Sequence, residues 1–138
     1  MSRRRILFLQ LPPVSPDGLP ARENHPLGAA CVCLAARRSP AGAAFDLRIL
    51  DRRIADTGSD RAILEGIAAA RPDFLGLTLY VWNAVRSLHL AREAKKLLPS
   101  LTVIAGGPEV VPERTDLFAA GVDIAVPGEG EGAFIALL

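Results

Sequence analysis

The stretch RPDFLGLTLYVWNA, residues 71–84, holds a strongly apolar segment between the end of one helical pattern and the start of another. From Phe74 to Tyr80 it is almost continuously apolar, which is typical of a strand covered on both faces. Pro72 disfavours helical geometry in the residue before it, and Asn83 is a favourable N-cap for the helix that follows. The stretch therefore predicts the central strand of a sheet with helices on both sides.

The alternation of apolar runs and helical patterns continues in both directions from this strand. Further strands are predicted at residues 5–11, 45–50, 101–105 and 122–126, with helices at 27–37, 83–98 and 111–120 and another that ends at Arg71. The charged residues 51–56 are predicted to form a connection. Alternating strands and helices with right-handed crossovers indicate an α/β fold: a three-layer, doubly wound parallel sheet, flavodoxin-like or Rossmann-like. Its five strands are expected in the order 2-1-3-4-5.

Length and composition indicate one domain, residues 1–138, with an aliphatic core. Half of the residues are hydrophobic and only 5% are aromatic, which suits helices that cover a buried sheet. The formal net charge of +1 provides no long-range field, so neither nucleic acid nor a membrane is expected as a partner. Arg3, Arg4 and Arg5 are interpreted as a solvated strand entrance in preference to a phosphate contact.

The two cysteines, Cys31 and Cys33, are two positions apart in a predicted helix. They should face different sides and remain free, and buried free thiols fit a reducing compartment. No segment has the pattern of a signal peptide or approaches the roughly 18 apolar residues of a membrane span. The sequence therefore predicts a cytoplasmic protein.

Ligands of open α/β sheets bind beyond the carboxyl ends of the strands. The predicted fourth strand is followed there by Gly106-Gly107-Pro108-Glu109, and the fifth by Pro127-Gly128-Glu129-Gly130-Glu131. The glycine pair forms either a tight turn or a place where a ligand approaches the backbone. Gly128 and Gly130 allow the same two interpretations, and their position after the last strand argues against a nicotinamide-dinucleotide site.

No catalytic or metal-ligating residue is predicted. Glu109, Glu129 and Glu131 suit the first turns of helices better than paired-acid catalysis or a metal site. His25 ends the long first loop without a second ligand at metal-binding spacing, and His89 falls on a polar helical face. The sequence shows neither a nucleophile with a plausible histidine base nor a phosphate-binding loop.

Two aromatic residues, Tyr80 and Trp82, follow the central strand at alternate positions, so they share a face. Two interpretations remain open for this pair. The rings either present an aromatic wall to a ligand or cap the core.

Four short motifs together resemble a known family. They are Pro26-Leu27-Gly28, Leu50-Asp51, Gly106-Gly107-Pro108-Glu109 and Gly128-Glu129-Gly130-Glu131. In this order, over nearly the whole chain, they resemble the cobalamin-binding domain of radical S-adenosylmethionine enzymes. Strand-end loops of that family surround the lower face and nucleotide tail of cobalamin. The resemblance implies that the cofactor is lined by Thr78, Tyr80, Gly106, Gly107, Pro108, Glu109, Gly128 and Glu129.

The resemblance implies a cobalamin-binding module that serves methyl transfer. S-adenosylmethionine and a [4Fe–4S] cluster would belong to a C-terminal radical domain of the same polypeptide, because these residues contain no Cys-x3-Cys-x2-Cys motif. The apolar run at residues 133–138 fits an excised domain with such a neighbour. The alternative is a structural or docking domain of the same architecture that binds no cobalamin.

One departure from the wider group of cobalamin proteins concerns the cobalt ligand. The motif Asp-x-His-x-x-Gly is absent, since the chain reads PPVSPDG at residues 12–18. Radical enzymes commonly lack that histidine, so the resemblance implies a lower cobalt face that is free or shielded by side chains. The same residues offer neither the clustered acids of a receiver domain nor a Ser/Thr-rich loop for FMN phosphate.

Overall fold

The computed structural model describes residues 2–13, 17 and 25–138. Its centre is a five-stranded parallel sheet with the order β2-β1-β3-β4-β5. The strands are β1 (Arg4–Leu9), β2 (Phe45–Ile49), β3 (Phe74–Thr78), β4 (Thr102–Gly106) and β5 (Ile124–Ala125). This architecture confirms the predicted fold class and strand order, with the apolar strand β3 in the middle of the sheet.

Helices cover the two faces of the sheet and complete the three layers. They are α1 (Leu27–Arg38), α2 (Arg52–Thr57), α3 (Asp60–Ala70), α4 (Ala84–Leu97), α5 (Asp116–Ala119) and α6 (Gly130–Leu137), with a short 3₁₀ turn at Ala41–Ala44. The core on one face contains α1 and α6, whose buried residues include Ala29, Cys33 and Phe134. The larger core on the other face takes its helical side chains from α2, α3, α4 and α5.

Among the predicted elements that differ from the structure are three between residues 51 and 126. The expected charged connection 51–56 instead forms most of helix α2, which Asp51 caps: its carboxylate accepts a hydrogen bond from the Arg53 N–H. Hydrogen bonds from the side chain and backbone of Arg53 lower the pKa of Asp51 to about 2. The predicted helix 111–120 is reduced to Asp116–Ala119. Pro112 disfavours helical geometry at Val111, so the helix cannot begin there. The predicted strand 122–126 is paired only at Ile124–Ala125.

Two aspartates fix the starts of strands by the same pair of hydrogen bonds. Asp73, just before β3, accepts from the Arg5 N–H at 2.7 Å and returns its own N–H to the Arg5 carbonyl at 2.9 Å. Asp123, just before β5, does the same with Val103, at 2.7 and 2.9 Å. Each aspartate carboxylate therefore accepts a backbone N–H bond that a strand carbonyl would otherwise accept. At Asp123 this bond holds the very short β5 in register with β4.

The cysteines face different sides of α1, as predicted, and both are free. Cys33 is buried, and burial raises the pKa of its thiol more than nearby Arg37 lowers it. The expectation that both thiols are buried is wrong for Cys31, which is exposed. In the described part of the chain no helix is long and apolar enough to cross a membrane.

The clamp at Asp123 predicts a pH dependence of stability. Burial alone would raise the pKa of Asp123, but hydrogen bonds from Lys95 and from the Val103 N–H lower it below its ordinary value. The charge therefore stabilises the fold above the unfolded-state pKa of about 3.9, and this contribution is lost as the pH falls through the lower folded-state pKa. Because the side chain is 40% exposed, we expect Asp123→Asn to cost only about 0.5 kcal/mol at pH 7.

Urea unfolding of parent and variant at pH 7 and pH 3 measures this contribution. The difference in unfolding free energy should shrink at pH 3, and Asp123→Ala should retain a further pH-insensitive loss from the missing Val103 hydrogen bond. An Asp123→Asn difference that stays constant between the two pH values would contradict the assignment.

Candidate functional site

A cleft of about 150 Å³ opens at the carboxyl edge of the sheet, between α1 and α6. Its buried floor is apolar and is formed by Phe8, Ala29, Gly76, Leu77, Ile104, Val126 and Phe134. Its more exposed rim is formed by Gly28, Val32, Thr78, Tyr80, Gly106, Gly107, Gly128, Gly130 and Glu131. The cleft lies at the edge that the sequence predicts for a ligand.

The floor depends on a close fit between neighbouring strands. A Cβ on Gly76 would lie 2.7 Å from the ring of Phe8, so only glycine leaves room for that ring. Phe8 in turn packs on Phe134 of α6, with ring centroids 5.4 Å apart. The strand glycine thus positions two aromatic rings under the cleft.

The glycine pair after β4 combines two different roles. A Cβ on Gly106 would meet nothing closer than the Val126 carbonyl at 3.8 Å, so this position faces open space in the cleft. Gly107 has φ +104°, and its Cβ would lie 2.6 Å from the Leu79 carbonyl oxygen. Of the two interpretations, Gly107 therefore fits the tight turn, because a side chain there would strike the Leu79 backbone.

The first turn of α1 forms another wall. Pro26 provides no side-chain cap, and the buried Gln10 beyond β1 accepts a hydrogen bond from the Ala29 N–H at 3.2 Å in its place. A Cβ on Gly28 would lie 3.1 Å from the Thr78 methyl group and 3.3 Å from the Tyr80 hydroxyl. Gly28 therefore lets helix α1 lie close to the end of β3.

The buried side chain of Asn83 joins three segments at this edge. Its amide group donates to the carbonyls of Leu11 at 3.0 Å and Thr78 at 3.1 Å, and its carbonyl accepts from the Tyr80 N–H at 2.9 Å. The predicted side-chain cap of α4 is absent, although Asn83 occupies the N-cap position. These bonds also explain why β1 ends at Leu9 and β3 at Thr78, earlier than predicted.

The structure brings together five of the eight predicted cofactor-lining residues around the cleft: Thr78, Tyr80, Gly106, Gly107 and Gly128. The other three lie in the adjoining loops. Pro108 is exposed, and Glu109 pairs with Arg114 at 3.2 Å. Glu129 is the exposed N-cap residue of α6 and makes no side-chain cap hydrogen bond.

Aromatic residues extend the site beyond the cleft. Tyr80 and Trp82 stack with their ring centroids 4.5 Å apart and their planes 6° from parallel. Tyr80 lines the cleft, and Trp82 beside it is 49% exposed. The pair therefore presents a flat apolar surface next to the opening, and core capping by Trp82 does not fit this exposure.

Histidines and acids add little charge to the site. The exposed His25 has its Nδ1 atom 3.4 Å from a guanidinium nitrogen of Arg52, and His89 lies on the surface 3.9 Å from Asp60. Neither histidine lines the cleft, where Glu131 is the one charged side chain among the described lining residues. Within residues 2–13, 17 and 25–138, no group of three or more His, Cys, Asp or Glu could hold a metal ion.

Sequence reasoning missed Gln10 and the network at Asn83. A local signal existed for Gln10, since a polar residue between an apolar strand and Pro12 is conspicuous in RILFLQLPP, residues 5–13. No local signal identifies Leu11 as a partner of Asn83, because the two residues are 72 positions apart along the chain.

Loss of the Asn83 side chain should weaken the whole edge. Asn83→Ala leaves two buried carbonyls and one N–H without their partner, and we expect a loss of about 2–4 kcal/mol of unfolding free energy. The control Ser59→Ala removes a single exposed cap, the bond to the Ala62 N–H, and should cost about 1 kcal/mol. Urea unfolding of the two variants measures both losses, and equal losses would refute the bridging role of Asn83.

Comparison with known proteins identifies the family of this chain. A family model described as the B12 binding domain matches residues 20–138. The chain is 48% identical over 69 residues to the 2-(S-pantetheinyl)-carbapenam-3-carboxylate methyltransferase of Streptantibioticus cattleyicolor. It is 44% identical over 70 residues to the cobalamin-dependent radical SAM methyltransferase TokK of Streptomyces tokunonensis. Each alignment covers 49% of this chain, which spans only 10% of either curated relative.

The fold also has a counterpart among solved structures. The CheY-like protein tadZ of Pseudomonas aeruginosa PAO1 superposes with a TM-score of 0.62 over 99% of this chain and 93% of that one. At 14% identity this likeness shows the flavodoxin-like fold alone. The family match covers most of the sequence and all the described cleft-lining residues except Phe8, and it confirms the resemblance found in the strand-end motifs: the chain belongs to the B12-binding domain family.

Proposed function

We propose that the cleft and the adjoining strand-end loops hold cobalamin. The observation that carries this proposal is the open space in front of Gly106, at the carboxyl edge of the sheet, where an added Cβ would project into the cleft. Glycines on three sides of the opening leave room for a bulky ligand to reach the backbone. The residues around the cleft therefore fit a large cofactor of which one narrow part enters the cleft.

The size of the cleft supports insertion of the nucleotide tail. An apolar cavity of about 150 Å³ accommodates a benzene-sized ring, and this cleft of about that volume is also open at its mouth. The corrin ring is far larger, so it would lie outside, against the rim glycines and the Tyr80–Trp82 stack. Thr78, Tyr80, Gly106 and Gly128 are the positions proposed to touch the cofactor, with Gly107 shaping the loop.

The wider protein is proposed to be a radical S-adenosylmethionine methyltransferase. Support comes from the two relatives, which are methyltransferases about ten times longer than the aligned segment. When bound, cobalamin supplies a carrier for the methyl group. The residues described here hold and orient that carrier, while S-adenosylmethionine and a [4Fe–4S] cluster belong to a C-terminal domain in this proposal. The cytoplasm remains the predicted location.

Cobalamin retention tests the proposal directly. The protein is mixed with hydroxocobalamin, passed through gel filtration and examined for corrinoid absorbance, and quenching of Trp82, the single tryptophan, gives the affinity. Gly106→Val should bind at least about ten-fold more weakly because its side chain fills the cleft. The matched control Gly132→Val makes the same change on the exposed side of α6, where a Cβ meets nothing within 4 Å, and should bind as the parent does.

Thermal unfolding must show that Gly106→Val remains folded, which the ordinary φ of Gly106 permits. Unchanged binding by this variant would place the cofactor elsewhere. Complete loss of colour from the parent protein would favour the alternative, a docking domain that binds no cobalamin.

Cobalt coordination provides an independent prediction. Since neither His25 nor His89 lines the cleft, bound cob(II)alamin should show no nitrogen superhyperfine splitting from a histidine ligand in its paramagnetic resonance spectrum. His25→Ala should leave the spectrum and the affinity unchanged. A spectrum with splitting from an axial histidine nitrogen that disappears in His25→Ala would contradict this prediction.

A further inference from the structure

We infer that an arginine-lined cleft at the amino edge of the sheet is a docking site for an acidic segment of a partner protein. This second cleft has a volume of about 590 Å³ and lies where strands β1 and β2 begin. It is at the opposite end of the strands from the cofactor site, so the inference goes beyond the proposed function and does not depend on it.

Four exposed arginines from three segments of the chain line this arginine cleft. Arg3 and Arg5 come from the start of β1, Arg37 from the end of α1 and Arg48 from β2. The arginine run that the sequence marks as a solvated strand entrance therefore meets two further arginines that are distant in sequence. Such a gathering of like charges is unfavourable unless something of opposite charge binds there.

The charge of the cleft is out of proportion to that of the chain. Asp46 is the one acidic residue among the lining residues that the structure describes, so four guanidinium groups face one carboxylate. The resulting excess of three positive charges is larger than the formal charge of +1 on the whole chain, and the remainder of the chain is net negative. Positive charge is therefore concentrated at this edge.

Two of the guanidinium groups are held by neutral partners. Arg5 donates a hydrogen bond to the Ala70 carbonyl at 3.1 Å, and Arg37 donates to the Leu47 carbonyl. A carbonyl oxygen fixes the direction of a guanidinium group without cancelling its charge, and each arginine has further N–H groups for a ligand. The fold thus orients these side chains and leaves their charge available.

The single carboxylate of the cleft already has a partner. Asp46 lies 2.8 Å from the Nη2 atom of Arg48. The hydrogen bond from Arg48 is the main cause of the lowered pKa of Asp46, and the charges of Arg5 and Arg3 lower it further. Since Arg3, Arg5 and Arg37 make no salt bridge within the described part of the chain, a carboxylate that enters the cleft would meet guanidinium groups without an acidic partner.

The lining of the cleft favours a protein segment over nucleic acid. Sites for single-stranded nucleic acid combine basic grooves with aromatic rings on which bases stack. The one aromatic residue in the described lining, Phe45, packs on Phe74 instead, with ring centroids 6.3 Å apart. Basic residues of the described lining are all arginine, and protein interfaces are enriched in arginine and depleted in lysine.

An anionic membrane is also a poor match for the arginine cleft. Basic surfaces that bind membranes usually add apolar side chains that enter the bilayer. Several large hydrophobic side chains are exposed in the described part of the chain, but none of them lines this cleft. The carboxylates of an acidic protein segment, which form paired hydrogen bonds with guanidinium groups, fit the lining best.

Fluorescence anisotropy with labelled probes tests the inference on the full chain. The probe is an oligoglutamate peptide, and an oligothymidylate of the same charge and phosphatidylserine vesicles are the comparisons. We expect the peptide to bind more tightly than either comparison. Its affinity should fall as the ionic strength rises, because the pairs form at an exposed surface.

A pair of double variants locates the binding. Arg3→Gln with Arg37→Gln should weaken peptide binding about five-fold or more, because two guanidinium groups without acidic partners are lost. The matched control, Arg53→Gln with Arg61→Gln, changes the net charge equally at exposed arginines that already form salt bridges. It should change the affinity less than about two-fold. Because Arg37 also holds the Leu47 carbonyl, Arg3→Gln alone is measured beside the double variant, and thermal unfolding checks that each protein is folded.

An opposite change provides a second, independent measurement. Asp46→Asn removes the carboxylate that faces the cleft and releases Arg48, so peptide binding should become about two-fold or more tighter. Glu65→Gln is the matched control, since it removes a carboxylate that pairs with Arg61 on α3, away from the cleft. It should leave the affinity unchanged.

Each other outcome would overturn the inference. Absence of peptide binding, equal losses in the two double variants, or weaker binding by Asp46→Asn would show that the cleft is not an acidic-segment site. Tighter binding of the oligothymidylate or of the vesicles would assign it to another class of partner. Self-association that disappears in the Arg3→Gln, Arg37→Gln variant would assign it to a second copy of the chain. Retention of cobalamin is measured separately and should be the same in all these variants.

Discussion

Three hydrogen bonds from one amide side chain hold the ligand edge of this domain together. The buried side chain of Asn83 binds the chain beyond β1, the last residue of β3 and the turn that precedes α4. Backbone groups that leave a sheet must find other partners or pay a desolvation penalty. By supplying these partners, Asn83 allows two central strands to end side by side and lets their continuations diverge around a cleft.

The cleft is defined as much by missing side chains as by those present. Because Gly76 has no side chain, the ring of Phe8 fits beside it. In the same way Gly28 lets the end of β3 pack against α1, and Gly107 lets the backbone of Leu79 approach. Each of these glycines is required by protein atoms. Gly106 differs, since a Cβ there would make only an ordinary contact, with the Val126 carbonyl oxygen at 3.8 Å. Gly128 is also open, since a Cβ there would meet nothing within 4 Å. The contrast separates glycines that build the fold from glycines that leave the cleft open.

Local patterns were sufficient to predict the layers, the strand order and the edge that carries the site. Apolar runs and helix-breaking prolines can be recognised from a few neighbouring residues. The rules for connections between parallel strands then allow only a few topologies. Features that depend on distant partners escaped prediction. The short strand β5 relies on the reciprocal bonds of Asp123 with Val103, and the direction of a Cβ at Gly107 depends on Leu79. The pairing of the predicted site residue Glu109 with Arg114 also depends on how the intervening loop folds.

Helix α6 closes the cleft, because Gly130 lies close to Val32 of α1 and Phe134 packs on Phe8. These two walls come from opposite ends of the described chain. During synthesis on the ribosome, the first three strands and α1 emerge long before the residues that complete the floor. The cleft is consequently completed late in the biogenesis of this domain, and a nascent chain halted before residue 130 would present the Phe8 ring without its cover.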